Sequence, residues 1–126
     1  MATIKSFTDL SKSKALAKIL PLESADMWYH GHYSPWESER KYDDEPCPFH
    51  SISPTWDKPC WGLAALLKCL SKIKPQVYTP ILFPSEGKWI LQFAEHGHGN
   101  VYEVSCDNPV DACYEMILKL NEFNLL

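Results

Sequence analysis

The sequence predicts an α+β fold: a three- or four-stranded antiparallel meander with helices packed on one face, plus a long excursion rich in aromatics and proline. Three observations predict it. Residues 77–106 fall into three β-prone runs separated by glycine-bearing turns. Two helical patterns flank those runs, one rich in leucine over 60–70 and one opening at Asn108-Pro109. Residues 21–59 carry seven aromatics and six prolines, which rules out a long helix there.

The chain has 126 residues, about one domain's worth, and reads as a single domain over 1–126. At 45% hydrophobic and 22% charged residues, it has the composition of a globular chain that can bury a core without disulfides or metal. The first helix is expected over 9–20, with Thr8 as its cap and Leu10, Leu16, Ala17, Ile19 and Leu20 as its apolar stripe. Lys12, Lys14 and Lys18 lie off that stripe as a solvated face, and Pro21 ends the run. The excursion over 21–59 is expected to be ordered by its own rings, with a short strand at 27–30.

Residues 60–126 form a helix-strand-strand-strand-helix pattern. Pro59 opens a helix that runs to about Leu70 and is apolar nearly all round, so it is expected at the centre of the fold. Strands follow over 77–83, 88–95 and 101–106, with turns at Pro84-Ser85-Glu86-Gly87 and His96-Gly97-His98-Gly99-Asn100. Trp89, Leu91 and Phe93 share one face of the middle strand; Tyr102, Val104 and Cys106 share one face of the last. Pro80 places the first of these strands at a sheet edge. The last helix starts on Asn108 as cap and Pro109 as first residue, and buries Val110, Cys113, Ile117 and Leu120. Asn124 suits the left-handed position after it.

Composition also narrows function. The formal net charge is −4, so no nucleic-acid partner is expected. No apolar run reaches the length of a membrane span, and the first 22 residues lack the pattern of a secretory signal. Five cysteines, an odd number, suit reduced thiols and a cytoplasmic location. There is no phosphate loop, dinucleotide fingerprint or serine elbow, and no cofactor is expected.

Four constellations could carry chemistry. Cys60 at a helix start, with His96, His98 and Asn100 in a later turn, has the order of a cysteine hydrolase: a thiol activated by a helix dipole, an imidazole base and an orienting amide. That layout resembles papain-like hydrolases, without their glycine-rich approach to the cysteine or a clear upstream oxyanion glutamine. His30, His32, Cys47 and His50 are zinc-ligand types, in a spacing no common zinc motif uses. Trp28, Tyr29, Tyr33, Trp36 and Trp56 could present a face to a protein partner, or equally line a core. The lysines of the first helix could hold a phosphate but lack arginine and interleaved aromatics. Acids such as Asp43-Asp44 sit in a charged run, 37–45, and read as a solvated loop.

Three stretches carry a family resemblance: 20–29 (LPLESADMWY), 59–67 (PCWGLAALL) and 108–126 (NPVDACYEMILKLNEFNLL). They resemble small proteins encoded in prophage and mobile-element regions of gut anaerobic bacteria. The resemblance implies a bacterial or phage cytoplasmic protein and carries no site residue with it. The expected function is a non-enzymatic protein-interaction module acting through the 28–56 segment, with an unknown protein partner and possible homo-oligomers; the alternative is the Cys60 hydrolase or transferase.

Overall fold

The computed structural model describes residues 6–32, 41–48 and 57–126. Among these residues, three α-helices and three small antiparallel sheets make the fold α+β. Helix α1 (Leu10–Leu16) is capped by Asp9, not Thr8: the Asp9 carboxylate accepts the Lys12 N–H at 2.8 Å. Thr8 is wholly buried and bonded elsewhere. The chain beyond Leu16 continues in tightened turns, with Leu20 N–H donating to the Leu16 carbonyl, before Pro21 stops it. The lysines of α1 do not form one solvated face. Lys12 pairs with Asp111 at 2.5 Å, and the Lys14 ammonium stands 5.3 Å over the Tyr42 ring.

The excursion forms short strands. β1 (Met27–Tyr29) lies between β4 (Cys47–Pro48) and β5 (Lys58–Cys60), and β2 (Gly31–His32) pairs with β3 (Lys41–Tyr42). The segment 60–62 is therefore not helical, contrary to expectation. Pro59 faces Trp28 in the β1–β5 ladder, and β5 is an edge strand, where the missing proline N–H is tolerated. Helix α2 (Leu63–Ser71) begins after Gly62. Gly62 has no side chain to cap the helix. Instead its own N–H donates to Asp26 Oδ1 at 2.7 Å. A Cβ at position 62 would stand 2.8 Å from Asp26 Oδ2, so any larger residue there must displace the Asp26 carboxylate.

Strands β6 (Tyr78–Ser85), β7 (Lys88–Glu95) and β8 (Gly99–Cys106) form a meander in that order, three strands and not four. Glu86 and Gly87 both take positive φ (52° and 80°), which gives the tight turn that matches strand twist. Pro80 and Pro84 lie in β6, at the sheet edge. The β7–β8 register slips between Phe93 and Ala94, leaving Val101 as the extra residue of a bulge. Helix α3 (Pro109–Glu122) opens as expected: Asn108 Oδ1 accepts the Asp111 N–H at 2.9 Å, with Pro109 at the first helical position. It closes with Asn124 at φ 56° and the Leu125 N–H returning to the Leu120 carbonyl.

Helices α2 and α3 pack on one face of the meander. Leu66, Leu70, Leu91, Phe93, Met116, Ile117 and Leu120 are sealed between them, joined by Leu16 and Trp61. The opposite face of the meander carries Ile81 and Val101, 43% and 41% exposed, with Phe83 paired across to half-buried Ile90. Alternation along each strand explains the division: odd positions of β7 point inward and even positions outward.

Leu66→Ala is expected to cost about 2–5 kcal/mol in urea denaturation, as emptying a packed site does. A shift below about 1 kcal/mol would mean the site collapses freely or that α2 is not central. Gly62→Ala is expected to cost about 1–2 kcal/mol, because the new methyl group must push Asp26 off its hydrogen bond. In an Asp26→Ala background the same change should cost less than about 0.5 kcal/mol, and equal costs in both backgrounds would refute the steric account.

Candidate functional site

The Cys60 thiol sits at the end of β5, three residues before α2, so no helix dipole activates it. It is fully buried. Its neighbours are polar but not catalytic: Sγ lies 3.3 Å from the Thr8 carbonyl oxygen and 3.7 Å from Thr8 Oγ1. Burial pushes the thiol pKa up and Asp26 adds to the rise; hydrogen bonds to Thr8, Ser13 and Tyr29 oppose it without overcoming it. A nucleophilic cysteine needs the reverse, an exposed thiol with a lowered pKa. His96 and His98 lie at the surface in the β7–β8 turn, and the His96 Nε2 is bonded to Thr79 Oγ1 at 2.6 Å. Asn100 pairs with Ala94 through the backbone of β8. The Cys60–His–Asn constellation is thus divided between a sealed thiol and a solvent-facing turn. Cys113 is no better placed, being fully buried with its thiol pushed up to about 12 by burial.

The two described histidines of the zinc candidate are engaged by different carboxylates. His30 Nδ1 lies 3.4 Å from Asp57 Oδ1, and His32 Nε2 lies 2.5 Å from Asp43 Oδ1. Asp57 also accepts the Gly31 N–H at 3.1 Å. Cys47 faces Trp28 across the β1–β4 ladder, and His50 lies outside the described residues. Among the described residues no three His, Cys, Asp or Glu side chains gather as a metal site would require.

Two of the five candidate binding aromatics are core residues. Trp28 is 8% exposed and Tyr29 2% exposed, with the Tyr29 hydroxyl donating to the Thr8 carbonyl at 2.8 Å. Neither forms an exposed surface patch, although Tyr29 contributes to the wall of a cavity. Tyr33, Trp36 and Trp56 lie outside the described residues.

The structure adds two features that spacing did not show. One is the bare, partly apolar face of the meander. The other is a cavity of about 400 Å³ between the start of α1 and β3. Phe7, Leu10, Tyr29 and Tyr42 form its apolar walls, and Asp9, Asp43 and Asp44 bring three carboxylates to it. The cavity residues come from three separated stretches, joined because Tyr29 is anchored to Thr8 and β3 pairs beside it with β2. The only signal in the sequence is the juxtaposition of Tyr42 with Asp43-Asp44, inside a run that reads as a solvated loop.

No helix of the described residues is long and apolar enough to cross a membrane. Comparison with protein-family models, with curated proteins and with solved structures finds no match to this chain.

In native protein near pH 8, iodoacetamide is expected to modify Cys60 on the order of 100-fold more slowly than free glutathione, because modification requires opening of the fold. Half-buried Cys47 and Cys69 should label first by peptide mass mapping. Labelling of Cys60 at the glutathione rate would restore it as a candidate nucleophile.

Proposed function

We propose that this chain is a non-enzymatic protein-interaction module of phage or mobile-element origin, working in a bacterial cytoplasm, and that proteins dock on the outer face of the meander. The observation that carries this reading is the uncovered sheet face. Among the described residues, helices cover only one side of β6–β7–β8, and Ile81, Phe83, Ile90 and Val101 lie on the other. Antiparallel sheets tolerate one wet face, but that face is then ordinarily polar. Contiguous exposed apolar side chains rimmed by polar ones mark interaction sites. Here Thr79 and Ser105 flank the apolar group, while Gln92, on the central strand between Ile81 and Glu103, crosses the face with its Nε2 donating to Glu103 Oε1 at 2.9 Å.

The docking face therefore moves from the 28–56 segment to the C-terminal half. All five cysteines are unpaired, which agrees with a reducing compartment. Without a partner the same face joins two copies, since sheets pack face to face about 10 Å apart through interdigitating apolar side chains.

Sedimentation velocity checks this. The weight-average sedimentation coefficient should climb toward the dimer value between about 10 μM and 1 mM, a weak interface of modest area. The Ile81→Lys/Val101→Lys variant should stay monomeric over that range, with stability changed by no more than about 0.5 kcal/mol per site, as for exposed positions. A wild-type chain that remains monomeric at the highest concentration would remove the support for this face.

A further inference from the structure

We propose that the cavity between the start of α1 and β3 takes an arginine side chain from a basic segment of a partner protein. The site is separate from the bare sheet face and is built from other elements.

Its chemistry is two-fold. The walls are Phe7, Leu10, Tyr29 and Tyr42, and the polar groups brought to them are the carboxylates of Asp9, Asp43 and Asp44; among the described residues no lysine, arginine or histidine lines it. A cavity of about 400 Å³ with apolar walls and few polar groups has the dimensions of a binding pocket. An arginine answers both parts, because its methylene stem packs on rings while its planar guanidinium stacks on an aromatic face and meets carboxylates in pairs. Lysine would satisfy the charge but not the stacking.

A second observation bears on the ligand. The Tyr42 ring, one wall of the cavity, already accepts a cation within the molecule: the Lys14 ammonium rests 5.3 Å over it. The carboxylates differ in their commitments. Asp9 accepts the Lys12 N–H, and Asp43 is paired with His32. Asp44 is exposed and makes no hydrogen bond or ion pair among the described residues. It is the carboxylate most open to an incoming guanidinium.

The full chain, labelled with nitrogen-15, is titrated with the blocked tripeptide Gly-Arg-Gly and with the same peptide carrying citrulline, which keeps the shape of arginine and removes its charge. The arginine peptide should shift amide resonances of Leu10, Tyr42 and Asp44, with citrulline binding at least about 10-fold weaker, the loss expected for a charge-assisted bidentate contact. Asp44→Asn should weaken arginine binding about 3- to 10-fold, and Asp43→Asn/Asp44→Asn more than 10-fold, while Glu86→Gln in the β6–β7 turn leaves it unchanged. Asp44→Asn removes no hydrogen bond or ion pair among the described residues and keeps the side chain's shape, so the fold should tolerate it. No shift at those amides, equal binding of the citrulline peptide, or equal weakening by Glu86→Gln would each overturn the proposal, the last by reducing it to attraction toward any acidic surface.

Discussion

The architecture hangs on the burial of one polar residue, Thr8. A hydroxyl and a peptide group removed from water must find partners or cost about 1–3 kcal/mol each. Thr8 finds them on four segments. Its N–H donates to the Trp61 carbonyl at 2.9 Å, and its Oγ1 receives the Trp61 N–H at 3.2 Å and bonds Ser13 Oγ at 2.7 Å. Its carbonyl accepts the Tyr29 hydroxyl and faces the Cys60 thiol. Residue 8 therefore ties the start of α1, strand β1, strand β5 and the approach to α2 into one arrangement. Once Trp61 is held by its backbone, its ring enters the core with Nε1 donating to Ser24 Oγ at 2.9 Å. Gly62 then falls against Asp26, and α2 takes its direction from that point.

This knot also decides where apolar surface is spent. Two aromatics of the first half, Trp28 and Tyr29, are buried on β1, with Tyr29 bonded to Thr8. The second half supplies the main core from α2, α3 and the inward face of the meander. No element among the described residues covers the meander's other side. Trp28 and Tyr29 of the aromatic-rich segment are thus structural, and the alternating strands of the meander carry exposed apolar groups.

Legibility in the sequence followed the range of the interactions. Helix α3 was readable to its caps because Asn108, Pro109 and Asn124 act within a few residues of themselves. The meander was readable because Glu86-Gly87 and the glycines of the next turn punctuate alternating runs. Pro59-Cys60 was misread because proline suits both the first turn of a helix and an edge strand. Its pairing with Trp28, more than thirty residues away, settled the matter, and no local pattern encodes that contact. Cys60 looked reactive for the same reason: burial behind Thr8 is a tertiary fact. The cavity was illegible because its walls come from residues 7–10, 29 and 42, and because Asp43 and Asp44 have the composition of any solvated acidic turn.

The span of the Thr8 contacts has a consequence for synthesis. Thr8 and Trp61 are 53 residues apart in the chain. A ribosome adding about 5–20 residues per second makes the first of them roughly 3–11 s before the second. Through that interval Thr8 can meet Ser13 and the Tyr29 hydroxyl, but the Trp61 backbone that completes its bonding does not yet exist. The C-terminal half, from α2 through the meander to α3, emerges with its contacts close at hand. The order of translation is therefore opposite to the order in which the two halves can satisfy themselves, and the nascent N-terminal segment is the part of this protein that most needs shelter on its way out.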